Sequence, residues 1–319
     1  MPELPEVETI VRSLRRHVIG DVIEFVWIGE RRQPLKSTPS EIASVLEGSR
    51  IAAVRRMGKH IVINLVIGRS GDRVIETGPN PHPVAPPRLR SGQAPPGATR
   101  VGQPLRSNLR PRSPDDPITR SPDQFIVHLG MTGRLLISRA DEPIARHTHL
   151  IARLRSGREL RFTDARMFGK LAVVREPFHT AGAEPLEIPF ADFAALFRRR
   201  KMPIKSALLN QALLRGIGNI YADESLYRAG LRPRRRAASL TRAGLQRLYD
   251  SVRQVLKEAI AAGGSSVSDY VDASGERGFF QLQHRVYGRE GEPCLACGAP
   301  IKRIVIAGRS SHYCPKCQK

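Results

Sequence analysis

All four cysteines of this chain fall within its last 26 residues, as Cys294-x-x-Cys297, sixteen intervening residues, and Cys314-x-x-Cys317. Two thiolate pairs at that spacing are the signature of a four-cysteine zinc ribbon, in which opposed turns present four sulfurs to one tetrahedral Zn²⁺. Two disulfides are the competing arrangement, but they belong to small secreted scaffolds, which a chain of 319 residues with no signal peptide does not resemble. Four protein ligands close the coordination sphere and leave no position for an activated water, so one structural zinc is expected. The basic residues between the cysteine pairs, Lys302, Arg303, Arg309 and His312, make the module a finger suited to phosphate.

The rest of the chain shares that preference. Lys and Arg number 52 against 30 Asp and Glu, a formal net charge of +22 with a sequence pI near 11.0, the footprint of a phosphate-rich partner. No apolar stretch approaches the roughly 20 residues needed to span a bilayer, so nucleic acid is a better candidate than a membrane, and a soluble, cytoplasmic protein is expected. A hydrophobic content of 40% supports ordinary packed cores, and the length suggests two domains with a small appendage.

Hydrophobic periodicity divides the chain. Val7, Ile10, Val11, Leu14 and Val18 recur at helical spacing behind Pro5, with Glu6 and Glu8 in a first turn whose dipole favours carboxylates. Short apolar runs follow at 22–28, 51–54, 61–66, 125–129, 150–154 and 171–174, and predict strands of a β-sandwich or barrel. Between Gly68 and Asp123, twelve prolines punctuate a segment with nine Arg, no Lys and five acidic residues, which cannot build a core and reads as a disordered insertion. Beyond Pro189 the pattern becomes helical, over 190–199, 206–214, 222–229 and 241–262. In Arg215-Gly-Ile-Gly-Asn-Ile-Tyr221 the two glycines interrupt the helical pattern and leave backbone N–H groups at a helix start, a geometry that can cradle phosphate.

The opening, Met1-Pro2-Glu3-Leu4-Pro5-Glu6, carries chemistry if Met1 is removed. Pro2 then offers a secondary amine titrating near pH 8, and its attack on a sugar aldehyde carbon gives an iminium, an electron sink that keeps its positive charge without a proton.

Met-Pro-Glu-Leu-Pro-Glu-Val-Glu, His128-Leu-Gly-Met-Thr-Gly133, Thr163-Asp-Ala-Arg-Met-Phe-Gly169, Gly216-Ile-Gly-Asn-Ile-Tyr-Ala-Asp-Glu224 and the four-cysteine finger occur here in one order. Together they closely resemble bacterial formamidopyrimidine-DNA glycosylase over nearly all of the chain except the insertion. The resemblance implies an α+β multidomain fold: a catalytic β-sandwich domain with an N-terminal helix over 1–183, including the 68–123 insertion, a linker over 184–189, a helix-two-turns-helix DNA-binding domain over 190–283, and the zinc finger over 284–319. It further implies a monomer that acts on damaged double-stranded DNA in the bacterial cytoplasm, excising oxidised purines such as 8-oxoguanine and formamidopyrimidines and cleaving the abasic site by β,δ-elimination.

Residue roles follow from the same resemblance. Pro2 is the nucleophile at C1′, Glu3 the general acid/base, Lys59 of the Met57-Gly-Lys-His60 hairpin the residue assisting β-elimination, and Arg309 the phosphate-gripping arginine assigned to δ-elimination. An arginine is effectively never deprotonated, so electrostatic stabilisation is the physical form of that last role. Met131, Arg166 and Phe168 are the set that fills the gap left by a flipped nucleotide, while His147, Lys201 and Asn219 contact the DNA backbone. The family often has a second arginine where Met167 stands, which changes the contacts expected there. Two alternatives share part of the pattern: an endonuclease VIII-type enzyme directed at oxidised pyrimidines, and a non-catalytic zinc-finger DNA-binding protein. Leu4 and the Arg166/Phe168 pair favour the purine enzyme over the first, and the joint presence of Pro2, Glu3 and Lys59 argues against the second.

Overall fold

The computed structural model describes residues 2–31, 33–67, 123–267 and 270–319. The proline-rich insertion expected over 68–123 therefore lies outside the described residues, except that Asp123 already opens a strand. Two compact units are present. One comprises Met1–Ser13, Arg55–Ile61 and His179–Lys319, the other Leu14–Val54 and Val62–Phe178.

The second unit is built on strands. Ahead of them, helix α1 (Leu4–Val18) passes from one unit into the other, and its residues Val7, Ile10, Val11, Leu14 and Val18 are all buried, as their spacing predicts. One four-stranded antiparallel sheet runs in the order β1 (Ile23–Ile28), β6 (Thr148–Leu154), β7 (Arg158–Thr163), β5 (Arg134–Arg139). The other sheet of the sandwich runs β2 (Ser49–Met57), β3 (His60–Ile67), β4 (Asp123–His128), β8 (Lys170–Val174). Two strands, β5 and β7, have no counterpart among the sequence-predicted runs. In β5, RLLISR, a three-residue apolar run is flanked by an arginine at each end, whereas β7, RELRFT, interleaves charges with apolar residues and turns them inward: Arg161 and Glu159 are both buried and paired at 2.7 Å. The short helix α2 (Pro39–Leu46) was also not predicted, although Thr38 and Glu41 form a reciprocal capping box with Pro39 in the first turn.

The first unit is helical. Helices α3 (Phe190–Phe197), α4 (Ile204–Leu209), α5 (Asn219–Arg228) and α6 (Arg242–Ala261) close on one apolar core that includes Phe193, Phe197, Leu208, Tyr221, Leu226, Val252, Leu256 and Phe280. Leu4 belongs to this core, and its N–H donates to the Gly216 carbonyl at 2.9 Å, so the N-terminal segment is sewn into the helical unit. Helix α4 is shorter and earlier than the 206–214 pattern suggests: Asn210 breaks it, and Gln211 turns back to hold the Ile217 carbonyl and the Gly216 N–H. The chain ends in a hairpin, β9 (Lys302–Ile306) and β10 (Arg309–Tyr313), closed by Ala307 and Gly308, both with positive φ as a two-residue primed turn requires.

Candidate active site and nucleic-acid interface

The N-terminal segment brings its acid to the first turn of α5. Glu3 is buried, and its carboxylate accepts from the N–H groups of Ile220 at 3.0 Å and Tyr221 at 3.4 Å. The backbone donors expected to cradle a phosphate at this helix start are thus occupied by a carboxylate of the chain itself, which the positive end of the helix dipole also favours. Gly218 makes the approach possible, because a Cβ there would stand 2.3 Å from Glu3 Cδ. The Glu3 N–H donates to Glu6 at 2.8 Å, and Glu6 also accepts from the Tyr221 hydroxyl and, at 2.7 Å, from the Ser265 N–H. Burial pushes Glu3 up to about 7 against the opposing pull of the Lys59 charge, so near neutrality it can both hold and release a proton.

Lys59 stands in the turn between β2 and β3, beside Gly58 at positive φ, and is itself buried. Desolvation draws its ammonium below the ordinary lysine range, Glu3 and Glu6 oppose that shift, and Arg309 adds to it. Pro2, Glu3 and Lys59 thus lie in one unit with Arg309, which opens β10 with its side chain exposed. Asn219 joins them: its Nδ2 donates to Ser310 Oγ at 3.3 Å, and its buried Oδ1 has no partner among the described residues. Lys201 is exposed in the connection between α3 and α4.

The four cysteines gather at the base of the β9–β10 hairpin, with all four Sγ atoms within 4.8 Å of one another. The Cys297–Cys314 and Cys294–Cys317 separations are 3.4 and 3.9 Å. A tetrahedron with Zn–S bonds of about 2.3 Å has S···S edges of roughly 3.8 Å, so this sulfur cage fits a zinc ion. Tyr227, on α5, places its hydroxyl 3.3 Å from Cys294 Sγ.

In the strand unit, two loops present the predicted gap-filling set. Asp164 is buried and organises them: its carboxylate accepts from Thr132 Oγ1 at 2.6 Å, Gly169 N–H at 2.7 Å and Arg166 N–H at 3.2 Å, while its own N–H donates to the His147 carbonyl at 3.0 Å. Gly130 locks the loops together, since a Cβ there would lie 2.4 Å from the Phe168 carbonyl carbon. Met131, at 41%, and Phe168, at 51%, are large apolar side chains left exposed, and the Arg166 guanidinium sits 5.0 Å over the Phe168 ring. His147 and Met167 both take positive φ, a conformation unfavourable for side chains of that size and characteristic of functional loops. The structure therefore groups Met131, His147, Arg166 and Phe168 around Asp164 in one unit, and Pro2, Glu3, Lys59, Lys201, Asn219, Arg309 and the cysteines in the other.

Glu6, Tyr221 and Asp164 went unassigned in the sequence. Asp164 and Tyr221 stand inside motifs that resemble the family, and Glu6 stands one turn after Glu3, but nothing in a one-dimensional pattern distinguishes a buried carboxylate accepting three hydrogen bonds from a solvated one.

Comparison with known proteins bears on all of these features. The family model for the formamidopyrimidine-DNA glycosylase N-terminal domain matches residues 1–171, that for the formamidopyrimidine-DNA glycosylase H2TH domain matches residues 181–271, and that for the zinc finger found in FPG and IleRS matches residues 291–319. The chain belongs to the formamidopyrimidine-DNA glycosylase family. A formamidopyrimidine-DNA glycosylase of Solibacter usitatus is 41% identical over 322 residues, covering 100% of both chains. A mutant Lactococcus lactis FPG solved with a Fapy-dG containing DNA is 27% identical with a TM-score of 0.77, again covering 100% of both chains. A MutM in complex with carbocyclic 8-oxo-G containing DNA is 28% identical with a TM-score of 0.75, covering 100% of both. The α+β arrangement of sandwich, helix-two-turns-helix and zinc finger is the fold of that family, and the sulfur cage is its zinc site. No helix among the described residues is long and apolar enough to cross a membrane.

Proposed function

We propose that this protein is a base-excision repair glycosylase that removes oxidised purines from double-stranded DNA and then cleaves the abasic strand. The observation that carries this reading is the buried Glu3 carboxylate, fixed on the first turn of α5 directly after Pro2, in the field of Lys59. Once the bond between residue 1 and Pro2 has been cut, the Pro2 amine attacks C1′ of the flipped nucleotide, and the base departs with the bonding electrons. Glu3, poised to titrate near neutrality, takes the proton from the attacking Pro2 nitrogen and supplies one to the ring oxygen of the opening sugar, which keeps it while the nitrogen lone pair forms the iminium; positioned acid–base groups of this kind accelerate such steps by about 10² to 10⁴-fold. The buried Lys59, with its ammonium weakened by desolvation, assists β-elimination, and Arg309 stabilises the phosphate leaving in δ-elimination.

Flipping a base costs a few kcal/mol of unstacking, and something must fill the gap. The exposed Met131 and Phe168, with Arg166 held over the ring, have the chemistry of an apolar wedge and a cation facing the orphaned base. His147, Lys201 and Asn219 hold the flanking backbone. Residues 1–183, 184–189, 190–283 and 284–319 serve as catalytic domain, linker, DNA-binding domain and finger of a monomer acting in the bacterial cytoplasm. The relatives solved with Fapy-dG and 8-oxo-G DNA support purine lesions over the oxidised-pyrimidine alternative.

The test is borohydride trapping on a duplex carrying 8-oxoguanine opposite cytosine. The wild type, confirmed by N-terminal sequencing to begin at Pro2, should form a covalent adduct; Pro2→Gly and a form with an uncleaved N-terminal extension should not. Failure of the processed wild type to trap would overturn the reading.

A further inference from the structure

Ten arginines of the described chain, among them Arg12, Arg56, Arg153, Arg161, Arg215 and Arg228, sit against a carboxylate. One cluster does not. The connection from α3 to α4 carries Arg198, Arg199, Arg200 and Lys201, and the segment between α5 and α6 carries Arg232, Arg234, Arg235 and Arg236. Among the described residues, none of these eight cations has an ion-pair partner, although the chain pairs arginines on both its units. Six of them, Arg198, Arg199, Lys201, Arg232, Arg234 and Arg236, are exposed.

The two basic segments are distant in sequence, and the backbone joins them deliberately. Pro203 and Arg236 form an antiparallel bridge. The Ile204 N–H donates to the Arg235 carbonyl at 2.7 Å, the Ala237 N–H to Met202 at 3.0 Å, and the Ala238 N–H to Arg200 at 2.9 Å. Arg234 also reaches the Val305 carbonyl of the finger at 3.5 Å, and Arg232 reaches the carbonyls of Gln318 and Pro315 at 3.0 and 3.2 Å. A two-segment ladder thus holds eight like charges together, none of them ion-paired among the described residues, an arrangement that opposes folding through self-repulsion and that a polyanion would relieve.

We infer that the Arg198–Lys201 and Arg232–Arg236 ladder is a phosphate track for undamaged duplex DNA outside the lesion, extending the contact that Lys201 begins. This rests on the DNA-repair reading above. Duplex DNA is favoured over an anionic lipid surface because the track contains Lys201 and is tied by Arg234 and Arg232 to the zinc finger.

The experiment measures binding of the zinc-loaded full chain to a long undamaged duplex across a salt series, comparing wild type with Arg198→Gln/Arg199→Gln/Arg234→Gln/Arg236→Gln, with the double variant Arg234→Gln/Arg236→Gln, and with the corresponding Lys variants. Each lost phosphate contact should make the log–log salt slope shallower by about 0.9, so the quadruple variant should lose roughly 2 to 4 from the slope and the double variant about half of that. The Lys variants should keep the wild-type slope. Zinc content and unfolding temperature report on folding independently. An unchanged slope in folded Gln variants overturns the track. A wild-type slope near zero, or the absence of trapping by the wild type, overturns the DNA-repair reading instead, so the two failures are distinguishable.

Discussion

The ammonium of Lys205, on α4, lies 2.6 Å from the Asp223 carboxylate on α5, and both side chains are completely enclosed. The pair does not end at those two helices. Lys205 also donates to the Ser310 carbonyl at 2.5 Å, while Asp223 accepts from Ser311 Oγ at 3.2 Å and the His312 N–H at 2.9 Å, so the network clamps β10 immediately after Arg309. Burial draws the lysine below its ordinary range, and the Asp223 charge opposes that shift. Removing one partner leaves the other charge buried alone, so Lys205→Met or Asp223→Asn should each cost about 3–5 kcal/mol, whereas Lys205→Met/Asp223→Leu should cost much less than the sum. Urea unfolding of the three zinc-loaded variants checks this. Additive losses would mean the charges are not coupled.

Glu3 makes a prediction about pH. Its folded value near 7 lies above the unfolded carboxylate value, so the folded protein holds a proton that the unfolded chain has lost. The resulting stability is fully present below about pH 4, declines as pH rises through 7, and is absent above that. Its size is on the order of 3 kcal/mol for a carboxyl buried as Glu3 is. Glu3→Gln should flatten stability between pH 5 and 8, measured by thermal unfolding. In the trapping assay, protonated Glu3 and neutral Pro2 titrate in opposite directions, giving a rate maximum between about 7 and 8 whose alkaline limb is missing from the residual activity of Glu3→Gln.

The same acid can be evicted without touching it. A methyl group at Gly218 would occupy the space of the Glu3 carboxyl, while the φ there, −130°, is one that any residue adopts. Gly218→Ala should therefore lower trapping by about 10² to 10³-fold with zinc content intact, the rate loss being that of a displaced acid–base group. Near-wild-type trapping would show that the carboxylate does not need its seat on α5.

How much of this was written in the chain can be judged residue by residue. Helix α1, most strands and the cysteine cage were legible because each depends on local periodicity or spacing. Strand β7 was hidden by charges that the fold pairs internally, Arg161 with Glu159, β5 by its short apolar run between two arginines, and α4 was misplaced because its end is set by Gln211 bonding across a turn. The glycine turn before α5 was read as a phosphate cradle, but a carboxylate from the other end of the chain fills it. Lys205 and Asp223 look like surface charges until long-range packing encloses them. At Glu3 and at Lys205 the sequence withheld a partner distant along the chain, Ile220 for the first and Ser310 for the second.

Asp164 supports the loops that carry Met131, Arg166 and Phe168 without facing solvent. Asp164→Ala removes the acceptor for Thr132, Arg166 and Gly169 and frees a loop whose Met167 is held at positive φ. Stability should fall by about 1–3 kcal/mol, and discrimination between lesion-bearing and undamaged duplex should narrow by about tenfold or more, because the wedge is no longer pre-arranged. Competition binding with the two duplexes measures it. A variant that is destabilised but fully discriminating would confine Asp164 to a structural role.

Tyr227 ties the zinc site to α5. Four thiolates this close repel one another: in Cys317, hydrogen bonding with Cys297 and burial push the thiol up to about 12, whereas in Cys294 burial is outweighed by hydrogen bonds from Tyr227 and the backbone, which bring it down to about 6. A dication answers that repulsion, and the Tyr227 hydroxyl stabilises the sulfur it touches. Tyr227→Phe keeps the ring between helix and finger but deletes the donor, so zinc affinity should drop by about 10 to 100-fold in chelator competition, with faster alkylation of Cys294 during zinc release. Full removal of zinc should melt the β9–β10 hairpin and with it the placement of Arg309, weakening DNA binding even where Glu3 and Lys59 are undisturbed. Retention of DNA affinity after complete metal removal would separate the finger from the interface.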